Sequence, residues 1–235
     1  MESCDCSGAA PLPAPTGEYH GLPRHDLTVD GCATIVVAPA RPLPGRPWVW
    51  RAQFLDAFPA FDLEMLNQGY HLAYMEVGNT FGCPTALDHW EALYALLTTR
   101  YGFSRRPVLE GVSRGGLFVY NWAVRHPGWL ACLYGDAPVC DFRSWPGGRS
   151  RGLGSPDDWA ELLAVYGFGD EAEALASADN PVDRLAPLAQ ANVPVIHVYG
   201  EADEVVPWEE NTGVVAERYG ALGGRIELFA MWVCC

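Results

Sequence analysis

The stretch from Leu109 to Leu117, "LEGVSRGGL", constrains the fold more than any other part of the chain. An apolar run leads into a serine flanked by Gly111, Gly115 and Gly116, and a helical pattern follows. G-x-S-x-G between a strand and a helix describes a very tight turn. Side chains two residues from the serine would collide with the neighbouring strand and helix. Such a turn leaves Ser113 strained, with its hydroxyl at a helix N-terminus whose dipole favours developing negative charge. The bare five-residue pattern occurs by chance, but here the strand before it and the helix after it supply the context the chemistry requires.

The rest of the chain alternates in the same manner. "LTVDGCATIVVAPA" predicts two strands bent around Asp30–Gly31, and "RPWVWRAQF" a short buried strand running into a loop. "FDLEMLNQ" predicts a helix closed by Gly69, and "YHLAYMEV" the next strand. Leu87, Trp90, Leu93, Tyr94 and Leu97 recur at helical spacing up to Gly102. "LACLYGDAPV", "VPVIHVYG" and "RIELFA" read as strands, and "WEENTGVVAERYG" as a helix. Strands alternating with helices predict a mostly parallel sheet covered on both faces. Residues 1–24 read as a loose Pro/Gly/Ser-rich leader, and 25–235 as a single domain. Residues 141–192 interrupt the alternation and read as a small helical insert, with Ser155-Pro156-Asp157-Asp158 as a helix start.

Composition narrows the chemistry. The net charge of -14 disfavours nucleic acid and anionic membrane surfaces as partners. All fifteen basic residues are arginine, so a pyridoxal Schiff base, a Walker-type phosphate lysine and a Ser–Lys dyad are excluded within this chain. The eight cysteines form no C-x-x-C pair and no His/Cys cluster with zinc spacing, so neither a metal nor another cofactor is expected. No stretch has the length of a membrane span, and "MESCDCSGAAPLPAPTG" is no secretory signal. The expectation is a cytoplasmic protein acting on a small molecule.

On "GVSRGG", "YGDAPV" and "VYGEADEVVP", the chain resembles the α/β-hydrolase superfamily, and within it the esterases related to the prolyl oligopeptidase catalytic domain. The resemblance runs from about residue 28 to about residue 230. It implies an α/β-hydrolase fold and a catalytic triad in the order Ser, Asp, His. Ser113 would be the nucleophile. Asp203, in a G-x-x-D-x-x-x-P-like pattern, would be the acid that orients the base, with Asp136 as the alternative. One oxyanion N–H would come from Arg114 and the other from the loop after "PWVW", at Arg51 or Ala52. Trp50, Trp145, Arg143 and Trp208 are candidates for the substrate pocket, against ordinary packing or solvated charge.

The histidine is missing from its place. His20, His25, His71, His89, His126 and His197 all precede Asp203. Family members carry a histidine loop and a helix after the last strand, where this chain reads "MWVCC". The sequence thus reads as a C-terminally truncated or frame-shifted member, with exposed apolar surface where the helix would lie. The expected activity is cleavage of carboxylic esters, such as acylated sugars, through an acyl-enzyme, weakened by the loss of the base. The alternatives are a prolyl oligopeptidase-like peptidase and a catalytically inactive binding protein on the same scaffold.

Overall fold

The computed structural model describes residues 8–231. The expected histidine loop falls on residues 232–235 and beyond, outside the described residues. Among the described residues nine strands form one sheet in the order β1-β2-β3-β5-β4-β6-β7-β8-β9. β1 (Gly17–Tyr19), β2 (Leu22–Val29) and β3 (Cys32–Val37) are antiparallel neighbours, and β3 also runs antiparallel to β5 (His71–Met75). From β5 onward every pairing is parallel: β4 (Trp48–Arg51), β6 (Val108–Val112), β7 (Cys132–Asp136), β8 (Val195–Gly200) and β9 (Ile226–Met231).

The local chemistry accounts for the boundaries. Asp30 and Gly31 both have positive φ, 48° and 80°, so β2 and β3 are joined by the left-handed two-residue turn that suits twisted antiparallel strands. Residues 17–24, assigned to the leader by composition, form the β1–β2 hairpin instead. Their backbone groups pair with one another and with β3, which low hydrophobicity alone does not prevent.

Seven helices connect the described strands: α1 (Ala60–Asn67), α2 (Pro84–Ala95), α3 (Gly115–Arg125), α4 (Pro156–Tyr166), α5 (Glu171–Ala176), α6 (Ala186–Gln190) and α7 (Thr212–Ala221). A π-helical turn, Leu96–Arg100, extends α2 before Gly102 ends it at φ 66°. The helix expected from Trp208 starts only at Thr212, because the preceding residues form turns on the Pro207 and Trp208 carbonyls. α3 is buried over nearly its whole length. It packs an aromatic core in which Trp50 stacks on Trp90 at 4.3 Å and meets Trp122 edge-on at 5.2 Å.

Residues 141–192, between β7 and β8, carry α4, α5, α6 and a short 3-10 turn at Pro181–Asp183. Ser155 caps α4 through its hydroxyl to Asp158 N–H, with Pro156 in the first turn. A second apolar cluster joins this segment to the start of α3, through Phe142, Trp159 and Leu162 against Phe81, Leu117 and Val139. At the far edge of the sheet, β9 leaves Leu228, Phe229 and Met231 exposed.

Candidate active site

β6 ends at Val112, and Ser113 turns the chain at φ 50°, a left-handed conformation that L-residues adopt only when their surroundings over-determine it. Here the surroundings are specific. Ser113 N–H donates to the Asp136 carbonyl at 2.9 Å, and the Ser113 carbonyl accepts from Gly116 N–H at 3.0 Å and Val139 N–H at 2.8 Å. The glycines are steric requirements. A Cβ on Gly111 would stand 2.7 Å from Val119 Cγ2 and 2.9 Å from the Gly115 carbonyl. On Gly116 it would stand 2.4 Å from the Val139 carbonyl. Gly115 faces the loop after β4, with Ala52 Cβ at 3.4 Å and Gln53 N at 3.7 Å from such a Cβ.

Arg114 caps α3, and its N–H donates to no acceptor among the described hydrogen bonds. Its guanidinium lies 4.8 Å over the Phe54 ring and 3.6 Å from Asp158 Oδ1. The loop after β4 departs from expectation. Ala52 N–H continues the sheet by donating to the Glu110 carbonyl at 3.0 Å, and Arg51 lies within β4. Neither backbone donor is free to meet a ligand. The next N–H, that of Gln53, is without an acceptor among the described hydrogen bonds and lies beside Gly115. The residue at which the strand ladder ends is not legible in the sequence, because it depends on the pairing of β4 with β6.

Asp203 sits in the loop beyond β8, where its Oδ1 accepts from the N–H groups of Val205 and Val206, each at 2.9 Å. The carboxylate thus closes a turn at the same sheet edge that carries Ser113. Asp136 ends β7 beside Val112, and burial raises its pKa against the pull of Arg51.

The histidines are engaged elsewhere. His197 is fully buried, with Tyr120 OH 2.8 Å from Nε2 and Thr212 Oγ1 3.0 Å from Nδ1, and burial lowers its pKa to about 3. His126 meets Glu91 at 2.7 Å, His89 meets Asp30 at 2.7 Å, and His20 meets Asp56 at 2.6 Å. His25 binds the Pro13 carbonyl, and His71 is buried at the start of β5. No histidine hydrogen-bonds Ser113 among the described residues.

The pocket residues scatter. Trp50 is fully buried in the aromatic core, with its ring against Trp90 of α2 and Trp122 of α3. Arg143 is held by Asp141 through Nε at 2.9 Å and by Asp183 through Nη2 at 2.9 Å, so it is a paired cation. With Ser144, Arg149 and Glu210 it borders a cleft of about 260 Å³. Trp145 packs toward Phe81, and Trp208 toward Tyr199 at 5.0 Å. Asn211 escaped sequence reasoning. Fully buried, it accepts from Cys140 and Asp141 N–H and donates to Ser144 Oγ and the Pro207 carbonyl, tying the loop after β7 to the loop after β8. A lone asparagine before a helix gives no sign of such a role.

This sheet order, with a strained serine turn leading into a buried helix, is the α/β-hydrolase fold. No protein-family model and no curated protein matches the chain. Solved structures do. The Mycobacterium tuberculosis puromycin-hydrolyzing peptidase matches with a TM-score of 0.69 at 14% identity, over 94% of this chain and 37% of that one. The Pyrococcus horikoshii acylaminoacyl peptidase matches with a TM-score of 0.66 at 11% identity, over 91% and 37%. TT1662 from Thermus thermophilus gives 0.62 at 14% identity, over 89% and 88%. The chain spans little more than a third of the length of the two peptidases. At these identities the likeness is one of fold. Among the described residues no group of His, Cys, Asp or Glu is arranged to hold a metal ion, and no helix is long and apolar enough to cross a membrane.

Proposed function

We propose that this chain is a serine hydrolase that cleaves carboxylic esters of small molecules, such as acylated sugars, through an acyl-enzyme on Ser113. The observation that carries the reading is the strained backbone at Ser113, φ 50°, fastened to Asp136 and Val139 and opening directly into α3. Ser113 Oγ would attack the ester carbonyl carbon while its proton passes to a base. The resulting oxyanion would be met by the N–H groups of Arg114 and Gln53. Its collapse would expel the alcohol, and water would then release the acid from the acyl-enzyme. Asp203 would orient the base.

None of the six histidines of this sequence stands ready to act as that base, so acyl transfer by the chain alone is expected to be slow. Imidazole in solution can act as the base. Hydrolysis of p-nitrophenyl acetate should rise with added imidazole beyond the buffer reaction, and the excess should vanish in Ser113→Ala. Equal rates in the two proteins, together with no labelling of Ser113 by a fluorophosphonate, would leave an inactive binding scaffold as the reading. Amide cleavage is the second reading, favoured by the peptidases among the structural neighbours. Anilide and ester substrates tested side by side separate the two. The four described cysteines are free thiols, which supports a reducing compartment such as the cytoplasm.

A further inference from the structure

The Arg51 side chain organises the loop after β4. The guanidinium is fully buried at the end of β4. Nη1 donates to Asp62 Oδ2 at 2.5 Å and to Glu110 Oε1 at 2.9 Å. Nε donates to the Gln53 carbonyl at 3.1 Å, and Nη2 donates to the carbonyls of Phe54, at 2.9 Å, and Ala57. Three carbonyls of one short loop therefore converge on a single buried cation.

The loop needs such a fastening. Phe54, Asp56 and Phe58 have φ of 55°, 72° and 53°, left-handed values that persist only when the surroundings impose them. Burial, with the adjacent Asp62, raises Glu110 above the ordinary carboxylate range beside Arg51. Its remaining donors are then directed at backbone. A buried ion pair is weak evidence for stability, since apolar replacements often do as well, so a geometric role is the better account of this one.

The geometry brackets one N–H group. On one side, Ala52 N–H is fixed to the Glu110 carbonyl at 3.0 Å, and on the other the Gln53 carbonyl is fixed to Arg51 Nε. The peptide between them carries Gln53 N–H, 3.7 Å from where a Cβ on Gly115 would stand. Resting on the reading of Ser113 as nucleophile, we propose that Arg51 is a positioning residue whose guanidinium, through the carbonyls of Gln53, Phe54 and Ala57, holds Gln53 N–H as the second oxyanion donor.

Phenylboronic acid tests this without needing a base at the site. Ser113 Oγ bonds to boron, the hydroxyl proton passes to buffer, and the tetrahedral boronate anion directs a boron-bound hydroxyl oxygen toward the oxyanion donors. Boron NMR reads the adduct. Arg51→Lys keeps a buried cation beside Asp62 and Glu110 but has no planar fork for three carbonyls. It should weaken the adduct at least about tenfold, because small misplacement of a preorganised donor is costly. Asp62→Asn disturbs the same cluster without touching the carbonyls and should stay within about threefold of the parent. Equal adduct affinity in Arg51→Lys and the parent overturns the proposal, as do equal losses in the two variants, which would mark a merely structural role. No adduct in the parent, or an unchanged one in Ser113→Ala, overturns the nucleophile reading and the inference with it. If Arg51→Lys does not fold, hydrogen exchange in the parent decides. Protection of Ala57 N–H, bonded to the Phe54 carbonyl at 2.9 Å, supports the clamp, and exchange at unstructured-peptide rates through residues 54–58 overturns it.

Discussion

The Ser113 N–H donates to the Asp136 carbonyl at 2.9 Å, so the turn that presents the serine hangs from the end of the neighbouring strand β7. Val139 N–H, three residues further along the same connection, holds the Ser113 carbonyl at 2.8 Å. The serine's conformation is thus imposed by β7 as much as by its own glycines.

This arrangement predicts opposite behaviour for two small replacements at the serine. Ser113→Ala retains the left-handed strain and should unfold in urea within about 0.5 kcal/mol of the parent. Ser113→Gly relieves a penalty of about 1–2 kcal/mol and adds glycine's backbone entropy cost of about 0.5–1 kcal/mol. It should be the more stable of the two variants. Both should lose fluorophosphonate labelling.

Gly116→Ala should be far more disruptive. Its Cβ would lie 2.4 Å from the Val139 carbonyl and 2.9 Å from Pro138 Cβ, so α3 must move away from the loop after β7. Overpacking of this kind costs roughly 1–3 kcal/mol. Urea denaturation should show the loss. Labelling of Ser113 should fall as well, because Val139 is one of the groups that hold the serine carbonyl.

Asn211→Ala should be costly without touching the elbow. It leaves the buried N–H of Cys140 and the partly buried N–H of Asp141 without their acceptor, which sat at 2.8 Å and 3.1 Å. Unsatisfied buried groups cost roughly 1–3 kcal/mol each. The thermal midpoint should drop by several degrees, and proteolysis should begin in the loop carrying Ser144 and Arg149.

Acid stability should report the buried imidazoles. Burial lowers His197 to about 3 and His71 to about 4, whereas the unfolded chain takes up these protons near about 6.5. Below that pH the unfolded state binds more protons than the native state. Stability therefore falls as pH drops from about 6.5 towards about 4, by up to about 1.4 kcal/mol per pH unit for each histidine. Glu110, raised by burial, works in the opposite direction, so the comparison must be made against a variant. His197→Gln keeps a polar group between Tyr120 and Thr212 and should show the shallower slope in urea titrations across this range. Identical slopes would count against the neutral, buried assignment of His197.

Much of the architecture was legible because it rests on local chemistry. Alternation, Asp30–Gly31, the Ser155 cap and Gly102 each act within a few residues, and each appears where its pattern lies. The hairpin at residues 17–24 was not legible, because its strands are short and polar and gain their order from β3. The late start of α7 was hidden for a similar reason: the residues before Thr212 are committed to turns, with the Asn211 side chain spent on the loop after β7. Trp50 illustrates the limit on the site. Its position at a strand end suited a pocket wall, and only the placement of Trp90 and Trp122 makes it core.

What the sequence by itself determined is the glycine-lined serine turn and its alternating frame, since glycine spacing and hydrophobic period are properties of adjacent residues. Tertiary structure alone decided the fate of everything aimed at the serine. It consumed the Ala52 N–H in the sheet, left that of Gln53 without an acceptor, and put the Arg51 side chain under the loop that carries it. It also sealed His197 between Tyr120 and Thr212. These outcomes depend on which distant strands and helices meet, and backbone hydrogen bonds and buried charge find partners only once that meeting has occurred.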